Sequence, residues 1–201
     1  VAVQACTVSC CHSEALRRVT VKIAPLDIPD VVAIEPDVFT DERGFFYESW
    51  NQKALDAAVG ETRFVQDNHS CSAKGVVRGL HYQVQHQQGK LVRVVSGRAF
   101  DAVVDIRRSS PTFGAWVGIE LSEENKTQLW IPHGFAHGFM ALEGGTELLY
   151  KSTDFYYPEF DRAIAWDDPD IAIAWPRIGT EPEASGKDRN APRLSDAELP
   201  T

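Results

Sequence analysis

The feature that most constrains how this chain can fold is its punctuation. Short runs rich in β-branched and aromatic residues are cut by turn residues about every ten positions. The runs are Val31–Glu35, Phe45–Trp50, Arg63–Asn68, Val76–Tyr82, Leu91–Val95, Ala99–Ile106, Ala115–Leu121, Gln128–Ile131, Gly138–Leu142 and Glu147–Ser152. Between them stand Asp41-Glu42-Arg43-Gly44, Ser96-Gly97, Ser109-Ser110-Pro111, Glu123-Glu124-Asn125 and Glu143-Gly144-Gly145. Only Asn51–Ala58, ahead of Gly60, reads as a short helix. After Pro176 the chain turns polar and proline-containing, which predicts an irregular C-terminal segment. Antiparallel strands of this number close best as a double-sheet jelly roll, which leaves a cavity between the sheets. The expected class is therefore all-β.

A chain of 201 residues favours one domain with a substantial core. The formal net charge of −9 argues against nucleic acid or an anionic membrane as the main partner. Clustered arginines could still bind a phosphorylated ligand locally. No apolar run approaches the roughly 18 residues that a membrane span needs. Residues 1–18 hold Cys6, Cys10 and Cys11 and end in Arg17-Arg18. A secretory signal would put its positive charge first, and the adjacent Cys10 and Cys11 with His12 have poor zinc spacing. This stretch reads as a disordered leader or a start assigned too far upstream, and residues 19–201 as a single domain. Beyond it only Cys71 remains, so a disulfide framework is excluded there, in keeping with a reducing cytoplasm.

Within Arg78-Gly79-Leu80-His81-Tyr82-Gln83, strand alternation sets Arg78 with Leu80 on one face and His81 with Gln83 on the other. Gly79 would let a ligand or another backbone approach closely. A lone strand histidine is more often structural than catalytic. Here it is accompanied by Gln66-Asp67-Asn68-His69, by Gly89-Lys90-Leu91-Val92-Arg93, and by His133 and His137 in Ile131–Phe139. Charged residues amid strand residues are costly to bury unless paired, so several in one small barrel suggest a polar ligand cavity. His81, His133 and His137 are the candidate metal ligands. No His-x-His pair lies on a strand and no helix joins His133 to His137, so a metal is not expected.

Taken in order, these segments resemble the dTDP-4-dehydrorhamnose 3,5-epimerase family from about Ile28 to Asp196. The resemblance is carried by Val38–Ser49, Phe64–Ser70, Arg78–Gln83, Gly89–Arg93, Ser109–Gly114, Glu124-Asn125-Lys126, Trp130–Phe139, Leu149-Tyr150-Lys151 and Lys187-Asp188. Any one motif is weak, whereas the ordered set is specific. The resemblance implies a cupin-like double-stranded β jelly roll with a few short helices, without metal or other cofactor. It implies a homodimer acting in dTDP-rhamnose synthesis on a dTDP-sugar. It further implies His81 as base, Tyr150 as acid, Asp188 as the carboxylate partner of His81, and Lys90 as a neighbour of the sugar ketone. Arg43, Glu48, Gln66, Asn68, Arg78, His137 and Lys187 fall on family substrate-binding positions. A further acidic binding position falls on either Glu159 or Asp161.

Such a substrate carries a ketone at carbon 4, which acidifies the protons on carbons 3 and 5. Epimerisation takes a proton from one face and returns one to the other, so two groups on opposite faces are needed. Histidine suits the first role and tyrosine, protonated at neutral pH, the second. A fixed ammonium such as Lys90 would stabilise the enolate. Arg43 and Arg78 offer bidentate contacts to a diphosphate. Phe45 and Phe46 could stack on thymine, although core packing is the commoner use of phenylalanine. Three competing readings are an epimerase acting at carbon 3 alone, a ketoisomerase, and a non-catalytic sugar-binding cupin. The last would not need both His81 and Tyr150.

Overall fold

Two six-stranded antiparallel-rich sheets face each other in a computed structural model that describes residues 21–201. The reading of residues 1–18 lies outside the described residues. The strands are β1 (Val21–Pro25), β2 (Val32–Pro36), β3 (Phe39–Asp41), β4 (Gly44–Phe46), β5 (Gln66–Ser72), β6 (Val76–Gln83) and β7 (Lys90–Ser96). They continue as β8 (Arg98–Asp105), β9 (Trp116–Ser122), β10 (Gln128–Ile131), β11 (Phe135–Ala141), β12 (Thr146–Ser152), β13 (Asp161–Ala163) and β14 (Glu183–Ala184). Helices α1 (Gln52–Val59) and α2 (Gly186–Arg189) complete the described elements.

One sheet runs β1-β2-β10-β7-β12-β5. The other runs β13-β6-β11-β8-β9, with β14 also on β6. Their facing sides bury Val92, Val94, Val103, Leu129, Ile131, Phe139 and Leu148, each a β-branched, aliphatic or aromatic residue that suits a pleated surface. This is the expected all-β jelly roll. Sequential neighbours often sit in opposite sheets, as β6 and β7 do, so the inner residues of each hairpin-poor pair converge on one space between the layers.

Most expected strands form within a few residues of their predicted ends. The helix begins where read, because the Asn51 side chain accepts the Ala54 N–H at 3.1 Å and Gly60, at a φ of 90°, ends it. Phe45–Trp50 is a correction. Only Gly44–Phe46 is strand, paired with β3 in a two-stranded hairpin apart from both sheets. Among the described residues no strand pairs with residues 47–50, and apolarity without a partner does not make a strand. Phe45 and Phe46 stay 59% and 69% exposed, so the core-packing use of both is also corrected.

Strands β1, β3, β13 and β14 were not anticipated. The last two are three and two residues long, too short to carry a period-two signal. Among the described residues, no helix is long and apolar enough to cross a membrane.

Candidate active site

Between the two sheets lies a cavity of about 650 Å³. Strand β6 supplies its first wall. The register opposite β11 pairs Phe139 with Arg78 and His137 with His81, so three steps on β6 face two on β11. This bulge re-phases the strand. Arg78 and His81 both reach the cavity, while Leu80 packs behind the sheet with Ile164. The simple alternation expected from the sequence is thereby corrected. Gly79 permits the bulge: its φ is +140°, and a Cβ there would sit 2.5 Å from the Gly138 Cα.

His81 turns its Nε2 to Asp188 Oδ1 at 2.6 Å, across 107 positions of sequence. Asp188 is only 3% exposed, and its backbone N–H is held by the Ser185 side chain at the start of α2. Burial alone would raise the Asp188 pKa, yet the hydrogen bond and charge of His81 lower it. Asp188 is therefore ionised and fixes a proton on the ring nitrogen facing it, which leaves the other nitrogen able to accept one.

The opposite sheet brings Tyr150 from β12 and Lys90 from the start of β7. Burial raises the Tyr150 pKa, so the phenol keeps its proton. Lys90 Nζ stands 5.9 Å from the centre of the Tyr150 ring. Burial pushes Lys90 down to about 8, against the pull of Asp101 and Asp161.

The cavity also takes in Arg78, His137 and Lys187 of the expected binding set. Gln66 and Asn68 lie beside it on β5, with Asn68 in register with Tyr150. Gln66 donates to Asn68 Oδ1 at 2.9 Å, and Asn68 Nδ2 is buried with no hydrogen-bond partner among the described residues. Arg43 and Glu48 are not brought to this cavity. Arg43 sits on the β3–β4 hairpin paired with Asp41, and Glu48 lies near α1 and β1. Of the two open acidic positions, Asp161 lines the cavity, accepting from the Tyr156 hydroxyl at 2.9 Å and pairing with Lys187.

Sequence reasoning missed Asp101. It is fully buried, and both its oxygens face His137 Nε2, at 2.9 and 3.0 Å. An acid within the apolar run Ala99–Ile106 was the available signal, because a buried carboxylate calls for a partner. His133 is exposed. Among the described residues, no three His, Cys, Asp or Glu side chains are grouped to hold a metal ion.

His81 on one sheet, backed by the Asp188 carboxylate from α2, shares the cavity with a protonated phenol and an ammonium from the other sheet, a two-sided acid–base site of the kind that racemases and epimerases use. Comparison with known proteins agrees. A family model described as dTDP-4-dehydrorhamnose 3,5-epimerase matches residues 25–196. The chain is 56% identical over 178 residues to the dTDP-4-dehydrorhamnose 3,5-epimerase of Pseudomonas aeruginosa, covering 88% of this chain and 98% of that one. It is 57% identical over 174 residues to the enzyme of that name from Shigella flexneri, covering 86% and 95%. The crystal structure of dTDP-6-deoxy-D-glucose-3,5-epimerase from Legionella pneumophila, in complex with dTDP-4-keto-L-rhamnose, superposes with a TM-score of 0.87 at 50% identity, covering 90% of this chain and 98% of that one. The chain belongs to the dTDP-4-dehydrorhamnose 3,5-epimerase family of isomerases.

Proposed function

We propose that this protein epimerises carbons 3 and 5 of dTDP-4-dehydro-6-deoxy-glucose to give dTDP-4-dehydro-rhamnose, in dTDP-rhamnose synthesis. The observation that carries the reading is the entry of His81 and Tyr150 into one cavity from opposite sheets, with Asp188 at 2.6 Å behind His81. His81 takes the proton next to the ketone, and Lys90 holds the enolate oxygen. Tyr150 returns a proton to the opposite face. Asp188 holds the imidazole and stabilises the imidazolium that forms. Arg78, Lys187, His137, Gln66 and Asn68 bind the nucleotide sugar. Asn68 Nδ2 supports this, since a buried donor without a partner among the described residues suits a ligand acceptor.

The test is incubation with dTDP-4-keto-6-deoxyglucose in deuterated water. Deuterium at carbons 3 and 5 supports the reading, and deuterium at carbon 3 alone moves it to a monoepimerase. No incorporation sinks it in favour of a binding protein.

The reading includes a homodimer working in the cytoplasm. Phe45 and Phe46 are large exposed aromatics on a hairpin that belongs to neither sheet, and the same hairpin carries Arg43. A hairpin of this kind suits burial against a second copy, where Arg43 and Glu48 would complete the partner's nucleotide site. A monomeric mass by light scattering at micromolar concentration would count against this part.

A further inference from the structure

Asp188 reaches His81 from a segment with little regular structure, and the chain must hold that segment in place. On its N-terminal side, β14 pairs with the start of β6 at Val76 and Val77. On its C-terminal side the chain is tied to the turn that follows β13. Ala165 N–H donates to the Pro192 carbonyl at 2.8 Å, and Leu194 N–H donates to Asp168 Oδ2 at 2.7 Å. That turn is itself anchored beside the site. Ile164 and Leu80 exchange both backbone hydrogen bonds, at 2.9 and 3.1 Å, one residue before His81. Helix α2 is thus a strap fastened to β6 directly at one end and through the turn at the other.

Asp168 is the side chain in the second fastening. It is 3% exposed, and among the described residues no cation makes an ion pair with it. Its Oδ1 accepts from Asp170 N–H at 2.9 Å, within the turn, while Oδ2 accepts from Leu194 in the tail. A buried carboxylate without a cation is costly unless its oxygens are hydrogen-bonded. The Asp170 contact alone would need only an ordinary turn residue. What the second oxygen adds is a charge-assisted bond between two segments 26 positions apart.

We infer that Asp168 is a positioning residue for epimerisation: its carboxylate fastens the tail to the turn behind β6 and so sets the reach of Asp188 to His81. This rests on the reading of Asp188 as the partner of His81. A displacement of about 1 Å in a catalytic group can cost about a hundredfold in rate. Loss of the Asp168–Leu194 bond, with the Ala165–Pro192 bond and the Lys187–Asp161 pair still in place, is expected to cost about ten- to a hundredfold in kcat by the same reasoning.

The experiment is a double-mutant cycle on the full chain with Asp168→Ala, Asp188→Asn and the pair. It reads kcat, Tm and the strongly downfield proton resonance of the His81 ring N–H. Three results together support the proposal. Asp168→Ala lowers kcat at least tenfold at a temperature where it is folded. It shifts or broadens the ring resonance. It also costs less than about twofold more when added to Asp188→Asn, as expected of residues acting through one another. A lowered Tm with kcat and resonance unchanged would leave Asp168 a purely structural residue and overturn the proposal, as would losses that multiply in the pair. Wild-type turnover in Asp188→Asn would instead remove the reading on which the proposal rests. Should Asp168→Ala fail to fold, Asp168→Asn keeps the volume and one acceptor, and the same readouts decide.

Discussion

Replacing Lys90 by methionine should make this protein more stable and much less active. Lysine ordinarily titrates at 10.5, and burial between the sheets pushes Lys90 down to about 8. The difference of about 2.5 corresponds to about 3 kcal/mol against the charged form. The ammonium also looks into a cavity that water can enter, which reduces the felt penalty to about 2 kcal/mol. The folded value lies below the unfolded one. Between about 8 and 10.5 the unfolded chain therefore binds more protons than the folded chain, and stability rises with pH across that window. Methionine keeps the stem and removes the charge. Urea unfolding of the variant should thus show a gain of about 2 kcal/mol at neutral pH that shrinks as the pH passes through this window. The same substitution removes the positive charge from the enolate oxygen, and kcat should fall by about a hundred- to a thousandfold. In the parent enzyme kcat/KM should decline as pH rises through about 8, as the ammonium is lost. A variant less stable than the parent at neutral pH would refute the reasoning. So would a stability difference that does not change with pH.

Tyr150→Phe should impair reprotonation more than proton removal, so deuterium exchange at carbon 3 outlasts product formation; equal loss of both would assign Tyr150 to binding or packing. Gly138→Ala places a Cβ 2.8 Å from the Arg78 carbonyl and 3.0 Å from the Gly79 Cα, both backbone atoms that cannot step aside. It should cost about 1–3 kcal/mol in thermal or urea unfolding and reduce kcat by disturbing the bulge that aims His81, and an unchanged Tm would be contrary. Exhaustive dialysis against a strong chelator should leave turnover intact, and restoration of a lost activity by added zinc or iron would contradict it.

Much of the fold was open to reading because each strand carries its own signal. A β-rich run between turn residues marks a strand wherever it pairs, and so the all-β jelly roll followed from local chemistry. The meeting of His81, Lys90, Tyr150 and Asp188 in one cavity was also expected, though only through the ordered set of motifs. Taken alone, His81 read as a structural histidine and Asp188 as a surface charge. Their contact spans 107 positions, and the bonds that make it, from β14 to β6 and from Asp168 to Leu194, pair segments with no common sequence pattern.

The hairpin shows the same limit in reverse. Phe45 and Phe46 have the composition of a core strand, but whether a run is buried depends on what lies opposite it, and among the described residues only the short strand β3 pairs with this one, leaving both rings exposed. Period-two alternation placed Arg78 and His81 on opposite faces, and one extra residue beside Gly79 put them on the same one. Hydrophobic pattern and turn chemistry are properties of neighbours in sequence, and they determined the layers and the strand order's raw material. Register, bulge and the reach of the C-terminal tail depend on backbone groups that every residue shares, and only the packed structure decides which of those pair.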